Sequence, residues 1–453
     1  MLDVKKTAQD LLARLSVVSG RYREYRAWYE GTARLPKLGL SIPPTLGALE
    51  TMLGWPSVTV EAITERSEVK NLIDRESDES SEGANKLFEF NSMDSQTVMF
   101  IRDKLIYGRA FFVVGPPDTP GGLPVVTVES PLSMAVRIDP RTRRITAALK
   151  IWMDRTDPVI ATRGVTLYLP DRTCVLSVKG GKWVLLDEDV HNLGRVPVVM
   201  AVNRQRTGDW DGLSEMKDIV PVTAAAVRAL TGLQYGLETT ALPRKYVLGA
   251  TPEDFQDPAG NPLSQWESYM TSVWALSNEK AKVGTLAGAD MSAFREALDL
   301  YGRLASSVTG FPSSYFGNVT SIPQAEGAIR AAEARLVKTV ERSNAEVGKA
   351  ISWVVDIATR MIDGEWPVGN SVRVEWQDPG TPTFAQKADA LQKLAGGRPI
   401  LSLEGTWDEM GWSEARKNRE RQYFEAESTD SALLAVMGGM DDSGSNPNLQ
   451  DQG

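Results

Sequence analysis

Residues 310–363 read GFPSSYFGNVTSIPQAEGAIRAAEARLVKTVERSNAEVGKAISWVVDIATRMID, and they contain the pattern of one very long helix. It opens with a loop, residues 310–323, that is bracketed by glycine and proline. From Gln324, apolar residues recur at steps of three and four, which is the period of one face of an α-helix. These positions are Ile329, Ala332, Leu336, Val340, Val347, Ile351, Val354, Ala358 and Met361. The spacing predicts one helix of about forty residues, about 60 Å long, so we expect the chain to be elongated, oligomeric or both.

Two further helices are predicted upstream of this loop, over about 218–242 and 291–309. The first carries Ile219, Val222, Ala226, Leu230, Leu233 and Leu237 on one stripe, and the second carries Phe294, Leu298, Tyr301, Ala305 and Val308. Between them, residues 243–290 read as a small mixed unit of two short strands and one short helix. The sequence therefore predicts the order helix, small unit, helix, loop, long helix.

The rest of the chain mixes helical and strand patterns. Helices are predicted over residues 7–30, 77–109, 383–396 and 412–428, with strand and turn over 57–70 and a strand over 371–376. Residues 110–114 read as a buried strand, and residues 123–202 alternate as in an antiparallel meander. Residues 32–56 read as a proline- and glycine-rich arm, and residues 429–453 as a disordered tail. The fold class is α+β.

Composition limits what this chain can be. At 453 residues and 42% hydrophobic, it is long enough for two to four domains, and the mean hydropathy is −0.23. A net charge of −9 argues against nonspecific binding to nucleic acid, because such binding depends on Lys and Arg neutralising phosphates. No run of 18 apolar residues predicts a membrane span, and the first residues lack the pattern of a secretory signal.

Residues that carry chemistry are sparse. Cys174 is the only cysteine and His191 the only histidine, which excludes an intrachain disulfide and a metal site built from several histidines. His191 falls in a polar turn, residues 187–194, and we interpret it as a solvated loop histidine. The phosphate-binding pattern GxxxxGK[ST] is absent, so we expect no ATPase activity. We expect no enzyme activity, cofactor or metal.

Several ordered motifs resemble one known family. They are Tyr25-Arg26-Ala27-Trp28-Tyr29-Glu30-Gly31, Leu105-Ile106-Tyr107-Gly108-Arg109-Ala110-Phe111, residues 196–203 followed by Gly212-Leu213-Ser214-Glu215, and residues 374–379 followed by residues 386–390. Together with the helix order, they make residues 15–425 similar to the portal proteins of tailed bacteriophages, in the long-tailed branch. Each motif alone has low specificity for this family. The ordered set of motifs is moderately to strongly specific.

The resemblance implies the portal fold: a β-rich wing, a helical stem, a small α/β clip, a long kinked helix and a helical crown. It implies a ring oligomer, usually of twelve subunits. The implied parts are the wing 1–217, stem helix 1 at 218–242, the clip 243–290, stem helix 2 at 291–309, the tunnel loop 310–323, the long helix with a return strand 324–379, the crown 380–428 and the tail 429–453.

The resemblance also implies site residues. The tunnel loop would face DNA with Ser313, Ser314, Tyr315, Phe316, Gly317, Asn318, Val319 and Thr320. A loop anchored in a core by its aromatic residues is the alternative. The clip would bind its partner with Arg244, Lys245, Lys280 and Lys282, for which a solvated charged face is the alternative.

The implied function is a channel at one capsid vertex through which double-stranded DNA is packaged and ejected without regard to its sequence. The implied partners are copies of the same chain, the large terminase subunit, a head-tail adaptor, and the major capsid and scaffolding proteins. The chain would reside in the virion, and in the host cytoplasm during assembly, with no membrane partner. Two alternatives stay open: a helical assembly scaffold or adaptor without a channel, and an enzyme that uses His191 or carboxylates.

Overall fold

A computed structural model describes residues 2–35, 53–154, 162–179, 182–240, 245–249, 282–285, 292–317, 326–380, 384–395, 399–412 and 416–427. The chain divides into two compact units, Met1–Pro379 and Gly380–Gly453. Both α-helices and β-sheets are present, which confirms the mixed fold class. The predicted tail, residues 429–453, and most of the predicted arm, residues 32–56, lie outside the described residues.

Helices supply most of the secondary structure. Their bounds are α1 Leu2–Tyr29, α2 Trp55–Thr64, α3 Glu82–Phe90, α4 Met93–Tyr107, α5 Ile219–Thr240, α6 Ser292–Thr309, α7 Glu326–Asp363, α8 Phe384–Ala395, α9 Leu403–Glu409 and α10 416–427. The predicted helix pair upstream of the loop is present as α5 and α6. Ala and Gly on α5 allow close approach to α6, and Phe294 of α6 lies against Gly232 of α5.

The strands form small antiparallel sheets. Their bounds are β1 Val69–Asp74, β2 Arg109–Gly115, β3 Val125–Glu129, β4 Met134–Ile138, β5 Ile145–Asp154, β6 Thr162–Tyr168, β7 Thr173–Lys179, β8 Lys182–Asp189, β9 Val198–Val202, β10 Lys245–Leu248, β11 Lys282–Thr285 and β12 Val372–Trp376. The sheet orders are β1-β12, β3-β2-β9, β4-β5-β6-β7-β8 and β10-β11. The five-stranded sheet contains most of the meander predicted over residues 123–202, but β3 and β9, which fall in the same range, pair with β2 in a separate sheet.

The long helix is confirmed. α7 runs 38 residues without interruption, so it is about 57 Å long at 1.5 Å per residue. Leu336, Val340, Val347, Ile351, Val354 and Ala358 from its predicted stripe are buried. Ile329, near its start, is 44% exposed. The later turns of this helix are therefore the part that contributes to the core of its own chain.

The described residues of the first unit form three apolar cores, the smallest of which groups Phe111 of β2 with Met134 of β4. The larger core joins α2, α4 and α7 to β2, and the rings of Phe100 on α4 and Phe112 on β2 stack with centroids 3.9 Å apart. The second core packs one face of α1, with Ala8 and Leu11 buried, against the meander. Burial of such side chains contributes roughly 1.5–3 kcal/mol each.

A lysine lies inside the larger core. Lys104 on α4 is 0% exposed, and its Nζ donates to Ser343 Oγ at 2.8 Å and lies 3.5 Å from Glu346 Oε2 on α7. Burial lowers the pKa of Lys104 to about 8, with Glu346 opposing that effect. A charge this deep is retained because hydrogen bonds and a carboxylate compensate for the lost water.

Three local predictions were wrong. Residues 57–70 were expected as strand and turn, but Trp55–Thr64 is a helix with Pro56 in its first turn, and β1 begins only at Val69. The β-branched residues there favour a strand locally, and burial of one helical face against α4 and α7 overrides that preference.

The single helix expected over 77–109 is two helices, α3 and α4. Asn91 separates them. Its side-chain Nδ2 donates to Leu87 O at 3.0 Å, and its Oδ1 accepts from Val126 N at 2.8 Å. Ser92 then adopts a left-handed φ of 49°. The polar turn expected from residue 187 starts later, because Asp187 and Asp189 are still part of β8.

The second unit contains α8, α9 and α10. The indole of Trp407 on α9 stacks on the rings of Trp412 and Phe424, with centroids 5.8 and 5.9 Å away. Arg421 on α10 binds both carboxylate oxygens of Glu404, at 2.7 and 2.8 Å. Aromatic stacking and this bidentate ion pair fix the two helices to each other. Across both units, no helix in the described ranges is long and apolar enough to cross a membrane.

Candidate functional site

The predicted loop begins where α6 ends. Gly310 has a left-handed φ of 73°, and its amide donates to Ser306 O at 2.7 Å, which closes the helix. A side chain at this position would also collide with Arg335 on α7. Ser306 Oγ donates to Phe311 O at 2.7 Å. The start of the loop is therefore a fixed turn rather than a free hinge.

The aromatic residues of the loop point inward. Ser313–Phe316 forms a single 3-10 turn that ends at Gly317, where φ is 87°. Phe311 is 2% exposed and Phe316 is 3% exposed, and the Phe316 ring meets Trp55 edge-on, with centroids 5.9 Å apart. Phe316 was expected to face DNA, and in this chain it is a core residue, because its burial against α2 removes the whole ring from water.

Tyr315 is held from the side by an arginine. Arg66, just after α2, donates from Nη2 to Tyr315 Oη at 3.2 Å and to Glu333 Oε1 at 2.9 Å. Its Nη1 donates to Pro379 O at 3.1 Å. Burial lowers the pKa of Arg66, but the hydrogen bonds to Glu333 and Tyr315 more than offset this and raise it overall. Arg66 thus ties the loop to α7 and to the segment after β12.

Sequence reasoning did not single out Arg66. Its three partners lie 249, 267 and 313 positions away along the chain. Nothing in its own neighbourhood signals these contacts, and the surrounding residues were expected as strand and turn. Only the fold brings the four groups together.

The loop residues that remain candidates are the polar ones. Ser313 is half-buried, and Ser314 and Gly317 are exposed. Asn318, Val319 and Thr320 lie outside the described residues. No Lys or Arg occurs between Gly310 and Ile322, so this loop offers phosphate groups no cation to bind.

Of the four cations predicted to bind a partner, the structure describes only Lys245 and Lys282, and the backbone positions of these two are well separated. β10 and β11 pair antiparallel with Lys245 opposite Thr285 and Leu248 opposite Lys282. The two lysines therefore lie at opposite ends of a four-residue ribbon, about 10 Å apart along it at 3.3 Å per residue. Lys282 is exposed. Arg244 and Lys280 lie outside the described residues.

His191 lies at the edge of a cavity of about 500 Å³ that Asp187, Asp189 and Arg360 also line. Its Nδ1 accepts from Leu193 N at 3.3 Å, and burial lowers its pKa, so the ring is neutral at pH 7. Cys174 is buried, and burial raises the pKa of its thiol, which makes it a poor nucleophile. Among the described residues, no three of His, Cys, Asp and Glu could hold a metal ion.

Two of the quoted sequence motifs meet in space. Gly108 has a φ of 92°, and a Cβ added there would lie 3.0 Å from backbone atoms of Asp211, Gly212 and Leu213. Ser214 Oγ donates to Leu105 O at 3.2 Å, and Asn203 Nδ2 donates to Leu213 O at 2.9 Å. The motifs thus build the junction from which the chain leaves the three-stranded sheet of β2, β3 and β9 and enters α5.

A family model described as "Phage portal protein, SPP1 Gp6-like" matches residues 20–432. The chain belongs to this family of phage portal proteins. The resemblance inferred from the ordered motifs is therefore confirmed, and it favours a portal over a channel-free scaffold or an enzyme.

Two phage portal proteins are similar to this chain over most of its length. It is 31% identical over 415 residues to the "Portal protein" of Mycobacterium phage D29, covering 89% of this chain and 85% of that one. It is 30% identical over 411 residues to the "Portal protein" of Mycobacterium phage L5, covering 88% and 84%.

Among solved structures, the portal chain is similar to one in "Neck of empty GTA particle computed with C6 symmetry". That match has 16% identity and a TM-score of 0.49, and covers 86% of this chain and 98% of that one. A chain in "Virion of native gene transfer agent (GTA) particle" gives the same identity and TM-score.

Proposed function

We propose that this protein forms a closed ring, of twelve subunits, at one vertex of a tailed-phage capsid. Its axial channel would carry double-stranded DNA into the capsid during packaging and out of it during ejection. Membership of the phage portal family over residues 20–432 carries this proposal.

Exposed apolar surface on the central helices supports assembly with other copies. Leu300, Leu304 and Val308 on α6 are 53%, 43% and 38% exposed, and they recur every four residues on one face of the helix. Ile329 at the start of α7 is 44% exposed as well. An apolar stripe of this kind normally packs against a partner helix. In a ring, a neighbouring subunit would cover it.

The parts are assigned as follows. α5 and α6 form the stem, residues 243–290 the clip, residues 310–323 the tunnel loop, and residues 380–428 the crown. The clip would dock the large terminase subunit during packaging and the head-tail adaptor afterwards. The wing and crown would contact the major capsid and scaffolding proteins. The close contact of Gly232 with Phe294 supports treating α5 and α6 as one packed pair.

Contact with DNA would be loose and independent of sequence. A moving duplex must never be held at one base pair, and strong holding comes from Lys and Arg at phosphates. The loop from Gly310 to Ile322 has neither residue, which supports this assignment.

Measurement of particle mass tests the proposal. Purified full-length chain is examined by native mass spectrometry and negative-stain microscopy at micromolar concentration. We expect a closed ring with a central channel and little monomer, and a ring of thirteen would still agree. A stable monomer, or particles of variable mass without a channel, would contradict the proposal and favour the scaffold.

The ring would be a passive channel, and the energy for packaging would come from a separate ATPase. The chain has no phosphate-binding loop with its lysine and hydroxyl. Purified rings should hydrolyse no ATP until the large terminase subunit is added. Turnover by the ring alone, removed by a point substitution in this chain, would contradict this expectation.

A further inference from the structure

The second unit leaves apolar surface uncovered where α10 ends. Tyr423 and Phe424, in the last turn of this helix, are 59% and 48% exposed, and Leu403 at the start of α9 is 53% exposed. We call these three side chains the apolar patch. The earlier residues of α10, 416–422, are all polar, so the apolar part of this helix is confined to its last turn.

The members of the apolar patch lie close together because α9 and α10 run antiparallel. Arg421 pairs with Glu404, and Lys417 pairs with Asp408, so the two helices are matched in opposite directions. Leu403 directly precedes Glu404, which places it beside the last turn of α10. Exposed apolar side chains that adjoin one another are normally covered by another segment.

The sequence that follows α10 has the composition of such a cover. Residues 428–440 lie outside the described ranges and read STDSALLAVMGGM. Asp430 and Ser431 are residue types that cap the start of a helix, and Gly438 is the type that ends one. Between them the pattern predicts a short helix over residues 431–437 with an apolar face. That face carries Leu433, Leu434, Val436 and Met437.

The short connection decides which copy of the chain this segment covers. Only residues 428–430 separate it from α10, and connections of two to eight residues join antiparallel helices. The four steps from Glu427 to Ser431 span at most about 14 Å, so the segment begins within reach of the last turn of its own α10. Folded back antiparallel, residues 433–437 lie opposite residues 421–425.

We propose that residues 431–437 form a short helix that folds back on α10 of the same chain and covers the apolar patch. No charged residue lies between Ser431 and Met440, so the segment and the patch both lose contact with water at little electrostatic cost. The disordered tail expected over residues 429–453 then begins only after Gly438.

This cover is a property of the second unit alone and does not depend on the ring. Most of the segment also lies beyond residues 20–432, the part of the chain that the family model matches. A purified chain that stays monomeric and a chain that forms rings should therefore give the same result in the test below.

A photo-cross-linker in the apolar patch tests the proposal. Tyr423→p-benzoylphenylalanine replaces one exposed aromatic ring with another, and the purified full-length protein is irradiated. Mass spectrometry identifies the cross-linked residues, and a denaturing gel separates products of one chain from products of two. Gln422→p-benzoylphenylalanine is the control, because Gln422 is exposed and, at about 100° per residue, points away from the face that Tyr423 and Phe424 share.

We expect Tyr423→p-benzoylphenylalanine to give one-chain products joined to residues 431–440, at least about tenfold more than the Gln422 control. Leu433→Ser with Val436→Ser removes two apolar side chains of the segment and should lower this yield at least about tenfold. Leu449→Ser, which removes an apolar side chain farther along the tail, should leave it unchanged.

Two truncated chains provide a second readout that needs no cross-linker. One ends after Asp430 and lacks the segment, and the other ends after Gly438 and keeps it. We expect hydrogen exchange of the amides of residues 423–427 to be at least about tenfold faster in the shorter chain, and the longer one to match the full-length protein. Equal exchange in the two truncated chains would contradict the proposal.

Three cross-linking results overturn the proposal. Two-chain products joined to residues 431–440 show that a second copy supplies the cover. Two-chain products joined to any other residues show that a different surface of a neighbouring copy covers the patch. The absence of products from Tyr423→p-benzoylphenylalanine shows that the patch stays open.

Discussion

The amide nitrogen of Asn203 donates to the carbonyl oxygen of Gly108 at 2.7 Å, and this bond joins two segments that lie almost a hundred positions apart. Gly212, with a φ of 69°, packs directly against the same carbonyl and against Asn203 O. Position 212 therefore has no room for a side chain. Its backbone is also in the left-handed conformation that favours glycine. It fixes the point where the chain passes from the three-stranded sheet of β2, β3 and β9 into α5.

Gly212→Ala should destabilise the protein by at least about 2 kcal/mol, because the new methyl group meets backbone oxygen and the left-handed φ is unfavourable for alanine. Chemical denaturation followed by circular dichroism measures the effect. Gly194→Ala is the matched control: Gly194 has a φ of 73°, but nothing lies within 4 Å of the added methyl. It should lose only about 1 kcal/mol. Equal losses for both variants would contradict the proposed clash.

Arg66→Met should leave Glu333 and Tyr315 without their shared donor and lower the free energy of unfolding by about 1–3 kcal/mol. Arg373→Met is the control, since the ion pair of Arg373 with Asp78 is 58% and 78% exposed and should matter by less than about 0.5 kcal/mol. Hydrogen exchange on residues 310–317 adds a second readout. Faster exchange there only in Arg66→Met would show that Arg66 holds the loop, whereas unchanged exchange would refute it.

Lys104 should make stability depend on pH. Its pKa in the folded state is about 8, below the ordinary value of 10.5, so between these values the unfolded chain binds more protons and stability rises with pH. The burial penalty is fully present below pH 8 and fades toward pH 10.5. We expect Lys104→Met to remove a rise on the order of 1–3 kcal/mol across this window.

The free energy of unfolding is measured for the unsubstituted chain and for Lys104→Met at pH 7.5 and at pH 10. Subtracting the two proteins at each pH cancels the contribution of other titrating groups. Lys338→Met on α7, the helix that carries Ser343 and Glu346, is the control, because the Lys338 side chain is 81% exposed. A pH dependence that Lys104→Met leaves intact would show that another group is responsible.

Gly317→Val should impair packaging or retention of DNA while rings still assemble. Valine at a φ of 87° is strained by about 1–2 kcal/mol, yet nothing lies within 4 Å, so the core is undisturbed and the path of the loop changes. The yield of DNA-filled particles is compared with that of Gly327→Val, a position with open space and ordinary backbone. Normal filling by Gly317→Val would argue against a channel role for this loop.

Deletion of Ser313–Asn318 is a poor test of the same idea. It removes Phe316, which is 3% exposed, and loss of a buried phenylalanine ring alone destabilises by about 3–5 kcal/mol. We expect this deletion to reduce ring yield through unfolding, which the recovery of soluble protein would show.

Lys282→Glu should slow association with the large terminase subunit and reduce the dependence of that rate on salt, because rim charges act mainly on association. Surface plasmon resonance at two salt concentrations measures this. Lys338→Glu, an exposed lysine on α7, is the control. If both variants behave alike, the effect is one of overall charge and not of the clip.

Elements whose signal is local could be predicted from the sequence alone. The apolar spacing of α7, the stripes of α5 and α6 and the alternation in the meander depend on neighbours a few residues apart, and they appear in the structure as expected. The ordered motifs identified the portal family for the same reason, since their order is a property of the chain.

Contacts between distant segments could be seen only in the folded chain. It turned the β-branched residues of α2 into a buried helix, drew Phe316 into the core against Trp55, and brought Arg66 to Tyr315, Glu333 and Pro379. Local propensity is weak compared with burial, and these partners lie up to 313 positions apart. Their positions depend on the packing of the whole core, which no short stretch of sequence specifies.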